Sequence, residues 1–120
     1  EMGMSSKVSF EGIGEVIATF YAEEGVTAGQ MVKLSGDSKV AVCAAGEAFC
    51  GVAVSVKTGC AAVQVAGFAE VPCTDSTVTV GRVPLTADGS GGVKKAGSGD
   101  AGKESLVVSK DAAGFVTLKM

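Results

Sequence analysis

The sequence predicts an all-β fold, a small β-barrel or barrel-like sandwich. Three observations predict it. Short Val- and Ala-rich runs alternate with Gly-containing turns along the whole chain. No window sustains a helical period, and the Ala-rich rival from Val40 to Cys50 is interrupted by Gly46 and flanked by β-branched residues. The runs recur about every 8–14 residues, the spacing of barrels and sandwiches.

The elements follow in order. Residues 14–22 (Gly-Glu-Val-Ile-Ala-Thr-Phe-Tyr-Ala) read as a strand, as do 30–34 and 39–43. Ser35-Gly36-Asp37-Ser38 joins the latter two as a hairpin loop. Strands over 50–56 and 60–71 follow, linked by Lys57-Thr58-Gly59. Gly67 lies inside the second and predicts a bulge or bend there. Later strands cover 83–87, 92–95, 104–109 and 114–119. Residues 1–12 carry no strong pattern and read as an extended N-terminal arm that orders only by docking. The chain starts on Glu1 rather than an initiator Met, so its first few residues are expected to be a cloning remnant. Residues 13–120 are expected to form a single β domain.

The chain echoes itself. Val26-Thr27-Ala28-Gly29-Gln30-Met31 lines up with Val78-Thr79-Val80-Gly81-Arg82-Val83. Gly46–Val52 parallels Gly102–Val108, and a Gly-led strand closes each stretch, Gly59 to Val65 and Gly114 to Leu118. This pattern fits a barrel built from two similar β units better than an open solenoid.

Composition excludes several functions. Among 120 residues there is no His, Trp or Asn, so no imidazole-based triad, His zinc site or N-glycosylation acceptor exists. The net charge is −3 with scattered basic residues, which argues against nucleic-acid binding. No apolar run approaches membrane-spanning length, and no hydrophobic stretch follows Lys7 as in a signal peptide. The cysteines Cys43, Cys50, Cys60 and Cys73 are spaced 7, 10 and 13 residues apart, with no Cys-x-x-Cys pair. They read first as unpaired small hydrophobes of a reduced compartment; a disulfide framework or a metal site are the lesser alternatives.

Motifs that resemble chemistry fail on inspection. Gly97-Ser98-Gly99-Asp100-Ala101-Gly102-Lys103 has P-loop spacing, but Glu104 replaces the magnesium-binding hydroxyl and a strand follows where a helix must start. Gly97–Gly102 therefore reads as a Gly-rich surface loop. Lys39 sits near a hairpin tip but lacks the flanks of a carrier lysine. Lys57-Thr58-Gly59 has no Ser-x-x-Lys partner motif. Glu23-Glu24, Asp75 and Asp100 fall in predicted turns rather than in a shared cleft. No catalytic, cofactor-binding or metal-ligating residue is assigned, and no enzyme activity is expected.

An ordered series of segments resembles small phage and prophage head decoration (capsid cement) proteins. The series runs Gly25–Leu34, Gly51–Ser55, Val65–Pro72, Val83–Lys95, Glu104–Val108 and Ala112–Leu118. The resemblance implies a β-barrel virion structural protein, non-enzymatic and without a cofactor. It implies binding to the exterior of the assembled capsid, with the major capsid protein as partner and a homotrimer as the oligomer. It also implies synthesis in the bacterial host cytoplasm and no nucleic-acid or membrane partner. A tail-tube or head–tail connector component, or a small-ligand-binding β module, are the alternatives. Within the arm, Ser6, Lys7, Val8, Ser9 and Phe10 are the expected capsid or subunit contacts. Phe10, Ile13 and Met31 are further apolar contact candidates. Ile13 and Met31 each adjoin a predicted strand and are expected in the core.

Overall fold

The computed structural model describes residues 9–120. Ten strands form two sheets and no helix is present among the described residues. They are β1 (Val16–Ala22), β2 (Met31–Gly36), β3 (Lys39–Val42), β4 (Gly51–Lys57), β5 (Cys60–Ala66), β6 (Phe68–Pro72), β7 (Gly81–Ala87), β8 (Val93–Lys95), β9 (Lys103–Lys110) and β10 (Phe115–Lys119). Strands β1–β5 close a barrel in the order β1-β3-β2-β4-β5, and β6–β10 form an open sheet in the order β6-β10-β9-β7-β8. The all-β barrel-like fold expected from the strand spacing is the observed fold.

The two sheets share one topology. Read from β1 in the other direction, the barrel runs β1-β5-β4-β2-β3; adding five to each strand number gives the second sheet. The shared turn chemistry is visible in single bonds. Val26 N–H donates to Glu23 O, and 52 residues later Val78 N–H donates to Asp75 O. Both valines are buried. Gly59 and Gly114 hold positive φ angles of 74° and 95° immediately before β5 and β10. Each β4-type strand carries one bulged residue, Val54 between Ala53 and Ser55 and Val108 between Val107 and Ser109. Those bulges correspond at an offset of 54, so the match of Gly46–Val52 with Gly102–Val108 is two residues out of register. The structure thus keeps the internal echo and corrects its middle segment.

The units differ in closure. In the first, β1 pairs with β3 in parallel through Tyr21 and Ala22, sealed by Tyr21 N–H to Ser38 O and Glu23 N–H to Val40 O. In the second, no ladder joins β6 to β8. A side chain holds that seam instead: Asp75, the counterpart of Glu23, accepts Lys95 N–H on Oδ2 at 3.0 Å. Gly92 lies directly against Pro72 O, an approach that leaves no space for a Cβ.

Strand alternation explains two cores. Val32, Val40, Ala53, Ala61 and Val63 point into the barrel. Their neighbours Met31 and Val52 point the other way, into a larger core with Val71, Val78, Leu85, Val93, Val107, Val116 and Leu118. The start of β2 is therefore buried on both faces, which is why Met31 is 1 % exposed, as expected of a core residue. Ile13 departs from that expectation. It is 54 % exposed, because it lies in the turn before β1 and outside the alternation that would bury it.

The predicted strand over 60–71 is two strands. Gly67, at φ 89°, separates β5 from β6 and passes the chain from one sheet to the other. A second tie between the units is the loop 44–48. Gly46 N–H donates to Ala87 O, while Glu47 O accepts both Ala87 N–H and the buried Thr86 hydroxyl. The Gly97–Gly102 loop packs on the same segment through Ala101 N–H to Gly46 O, and the Asp100 carboxylate accepts Gly97 N–H.

Candidate interaction surface

The arm is where site residues were expected. Ser6, Lys7 and Val8 lie outside the described residues. Ser9 is exposed and Phe10 is half-buried. From Phe10 the chain turns back on itself, with Ile13 N–H donating to Phe10 O. The Phe10 ring meets the Phe68 ring at a centroid distance of 5.0 Å, tilted by 40°, a favourable aromatic geometry. Glu15 then passes so close to Gly67 that a Cβ there would sit 2.7 Å from Glu15 Cα. The described part of the arm is thus docked on its own strand switch rather than extended away from it.

That docking builds one wall of a groove between the units, with a volume of about 660 Å³. Glu11 and Glu15 stand on the arm side, Val52–Val54 and Gln64 on the barrel side, and Phe68–Glu70 with Thr117 and Ser109 on the second sheet. Glu70, Thr117 and Ser109 form one cross-strand row on β6, β10 and β9. Gln64 is only 6 % exposed, and its amide nitrogen donates to Ala66 O at 3.1 Å and to Phe68 O at 2.9 Å. Both donors are spent on backbone, so the amide orientation is fixed.

A second exposed feature is apolar. Ile17 and Tyr21 lie outward on β1, opposite Gln64 and Cys60 of β5, and Tyr21 is 62 % exposed. Val16 and Val54 are exposed nearby, as is Ile13.

Chemistry elsewhere is structural. Lys33 Nζ contacts both Glu47 oxygens at 2.8 and 2.7 Å, and Ala44 N–H donates to the same carboxylate. The Lys33 bond and the Ala44 amide hold the Glu47 carboxyl below its ordinary value, and Glu47 raises Lys33. Asp75 is lowered by the Thr77 hydroxyl, then by the Lys95 and Thr77 amides. Burial, then the nearby Glu47 charge, pushes the Cys43 thiol up to about 11. Burial likewise raises Cys50 and Cys73. All four thiols are free. No group of three or more acidic or thiol side chains among the described residues is arranged to hold a metal. Lys103 opens β9, a strand, so the P-loop-like segment has no helix N-terminus to offer phosphate.

The sequence places Asp75 and Asp100 in turns; Asp100 closes its own loop, whereas Asp75 also ties its turn to Lys95 of β8. An Asp two residues before Thr77 is the signal of an Asx-type turn that was available for the first. The groove was not legible, because its walls come from residues more than 50 positions apart.

Comparison with family models gave no match. Comparison with curated proteins also gave no match. Among solved structures, the chain is similar to the N base of the head fiber gp8.5 of bacteriophage phi29. The likeness has a TM-score of 0.62 at 21 % identity, over 88 % of this chain and 93 % of that one. It establishes a shared fold across nearly the full length of both chains.

Proposed function

We propose that this chain is a phage or prophage structural protein that binds the exterior of the assembled capsid and stabilises it. The observation that carries the reading is the shared fold with a phage head-fiber base. The ordered segments that resemble capsid cement proteins support it independently, since they were read from residues alone. A protein of this kind works through modest contacts multiplied by symmetry rather than through one reactive group. The exposed apolar side chains of β1, with Ile13 and Val54, suit such contacts. The reading includes the major capsid protein as partner, a homotrimer as the bound form, and contacts from Ser6, Lys7, Val8, Ser9 and Phe10. It also takes residues 13–120 as one folding domain, in keeping with a core that draws Met31 and Val52 from the barrel and Cys43 and Phe49 from the β3–β4 connection.

The test is quantitative mass spectrometry of purified particles induced from the source organism. A ratio of this chain to the major capsid protein near one to one is expected. A ratio of a few per cent would move the chain to a tail or connector, and absence from particles would overturn a virion role. Deletion of residues 1–8 is expected to weaken binding to capsids lacking this chain; unchanged binding would remove the contacts from Ser6, Lys7 and Val8.

A further inference from the structure

We propose that the groove between the two units takes an extended, lysine- or arginine-bearing segment of a partner protein, added as a strand to the outer edge of β6. The inference goes beyond the virion reading and stands whether or not the chain acts on a capsid.

Charge comes first. Glu11, Glu15 and Glu70 all line the groove, and among the described residues no basic side chain does. None of the three pairs with a base among the described residues, where the single ion pair is Lys33–Glu47. Three carboxylates lining one concavity give it a negative potential that favours a cationic occupant.

A polar side chain also lines the groove. Gln64 donates twice through its amide nitrogen, and no described group donates to its Oε1. The side chain is nine-tenths buried and lines the groove. An amide oxygen without a described donor suits an occupant that donates.

The backbone supplies the rest. Met120 N–H bonds to Gly67 O and Cys73 N–H bonds to Gly114 O. With the β6–β10 register, these two bonds fix the alternation. Ala69 and Val71 turn their backbone groups to β10, while Phe68 and Glu70 turn theirs to the free edge. Phe68 O is occupied by Gln64. Phe68 N–H, Glu70 N–H and Glu70 O remain without a partner among the described residues. Beyond them the edge is closed, since Pro72 has no N–H and Gly92 sits against Pro72 O. An added strand would bond at Phe68 and Glu70, and its cationic side chain would meet the carboxylates.

The probe is a fluorescein-labelled octapeptide alternating valine and lysine, acetylated and amidated, followed by anisotropy against the full chain. Saturable binding is expected, at least about tenfold tighter than for the valine–glutamate counterpart, and weaker as salt rises from about 50 to 500 mM. The double variant Glu15→Gln, Glu70→Gln is expected to lose about tenfold in affinity while melting at an unchanged temperature. N-methylation of alternate peptide amides is expected to abolish binding. Equal affinity for both peptides, or an unaffected double variant, overturns the proposal. Full affinity of the methylated peptide also overturns it, leaving charge attraction without strand addition. Binding that appears only after deletion of residues 1–8 overturns it too, because the chain's own arm would then be the occupant.

Discussion

Replacing Gly67 by Ala tests the docking of the arm. Gly67 holds φ at 89°, and an L side chain in the left-handed region costs about 1–2 kcal/mol. The added Cβ would also lie 2.7 Å from Glu15 Cα and 2.9 Å from Glu15 N. Carbon–carbon contact is comfortable near ~3.5 Å, so the backbone at Glu15 must retreat by roughly 0.8 Å. Overpacking of that kind costs about 1–3 kcal/mol. The total is about 2–5 kcal/mol, or roughly 8–20 °C in melting temperature at about 4 °C per kcal/mol. Gly59→Ala is the matched control. Its φ is 74°, but nothing lies within 4 Å of the new Cβ, so only the conformational cost applies. Thermal melts of both variants should be paired with cleavage by a glutamate-specific protease, which reads Glu11 and Glu15 directly. Gly67→Ala should melt lower than Gly59→Ala and be cut faster at those two sites. If the two variants melt together and are cut at the wild-type rate, the arm does not dock on Gly67 and the groove has lost a wall.

Asp75→Ala removes acceptors for Thr77 N–H, the Thr77 hydroxyl and Lys95 N–H, and should cost about 1–2 kcal/mol at neutral pH after allowance for solvent screening. Because the folded Asp75 carboxyl titrates below its unfolded value, its contribution is complete above about pH 4 and is lost as pH falls through the folded value. The melting gap between wild type and Asp75→Ala should therefore narrow on acidification towards pH 2; a gap independent of pH would contradict the assignment. Leu118, fully buried in the larger core, should cost about 2–5 kcal/mol on truncation to Ala, read by denaturant midpoint. Thr86→Val should cost about 1 kcal/mol by the same assay, through loss of the bond to Glu47 O. Iodoacetamide at pH 8 should leave Cys43 unmodified longest, since a thiol at about 11 is ionised to about one part in a thousand there; mass spectrometry of the time course decides it.

Most strands were legible because they are short Val- and Ala-rich runs set off by glycine-containing turns, and burial alternates along several of them, such as β9 and β10. The break at Gly67 was visible only as an irregularity. A glycine within a run marks a bulge, a bend or a close approach alike, and choosing among them needs the position of Glu15. The repeat was detectable through Val26 and Val78, where buried turn valines must be kept. It blurred near Val54 and Val108, because a bulge changes residue count without changing fold. Ile13 misled because adjacency to a strand is not membership of it. The groove left no trace in the sequence, since its three carboxylates come from the segment before β1 and from β6 with a whole barrel between them.

The contrast in closure has a consequence for how the molecule comes apart. Every strand of the barrel has a partner on each side, so none can leave without breaking bonds along two borders. The second sheet has two ends, and β8 is three residues long, held on its outer side by one carboxylate. Fraying is therefore expected to start at β8 and run inward through β7. Two halves with the same wiring diagram thereby differ in what holds their borders, and the half with open borders is the one that carries the free strand edge beside the groove.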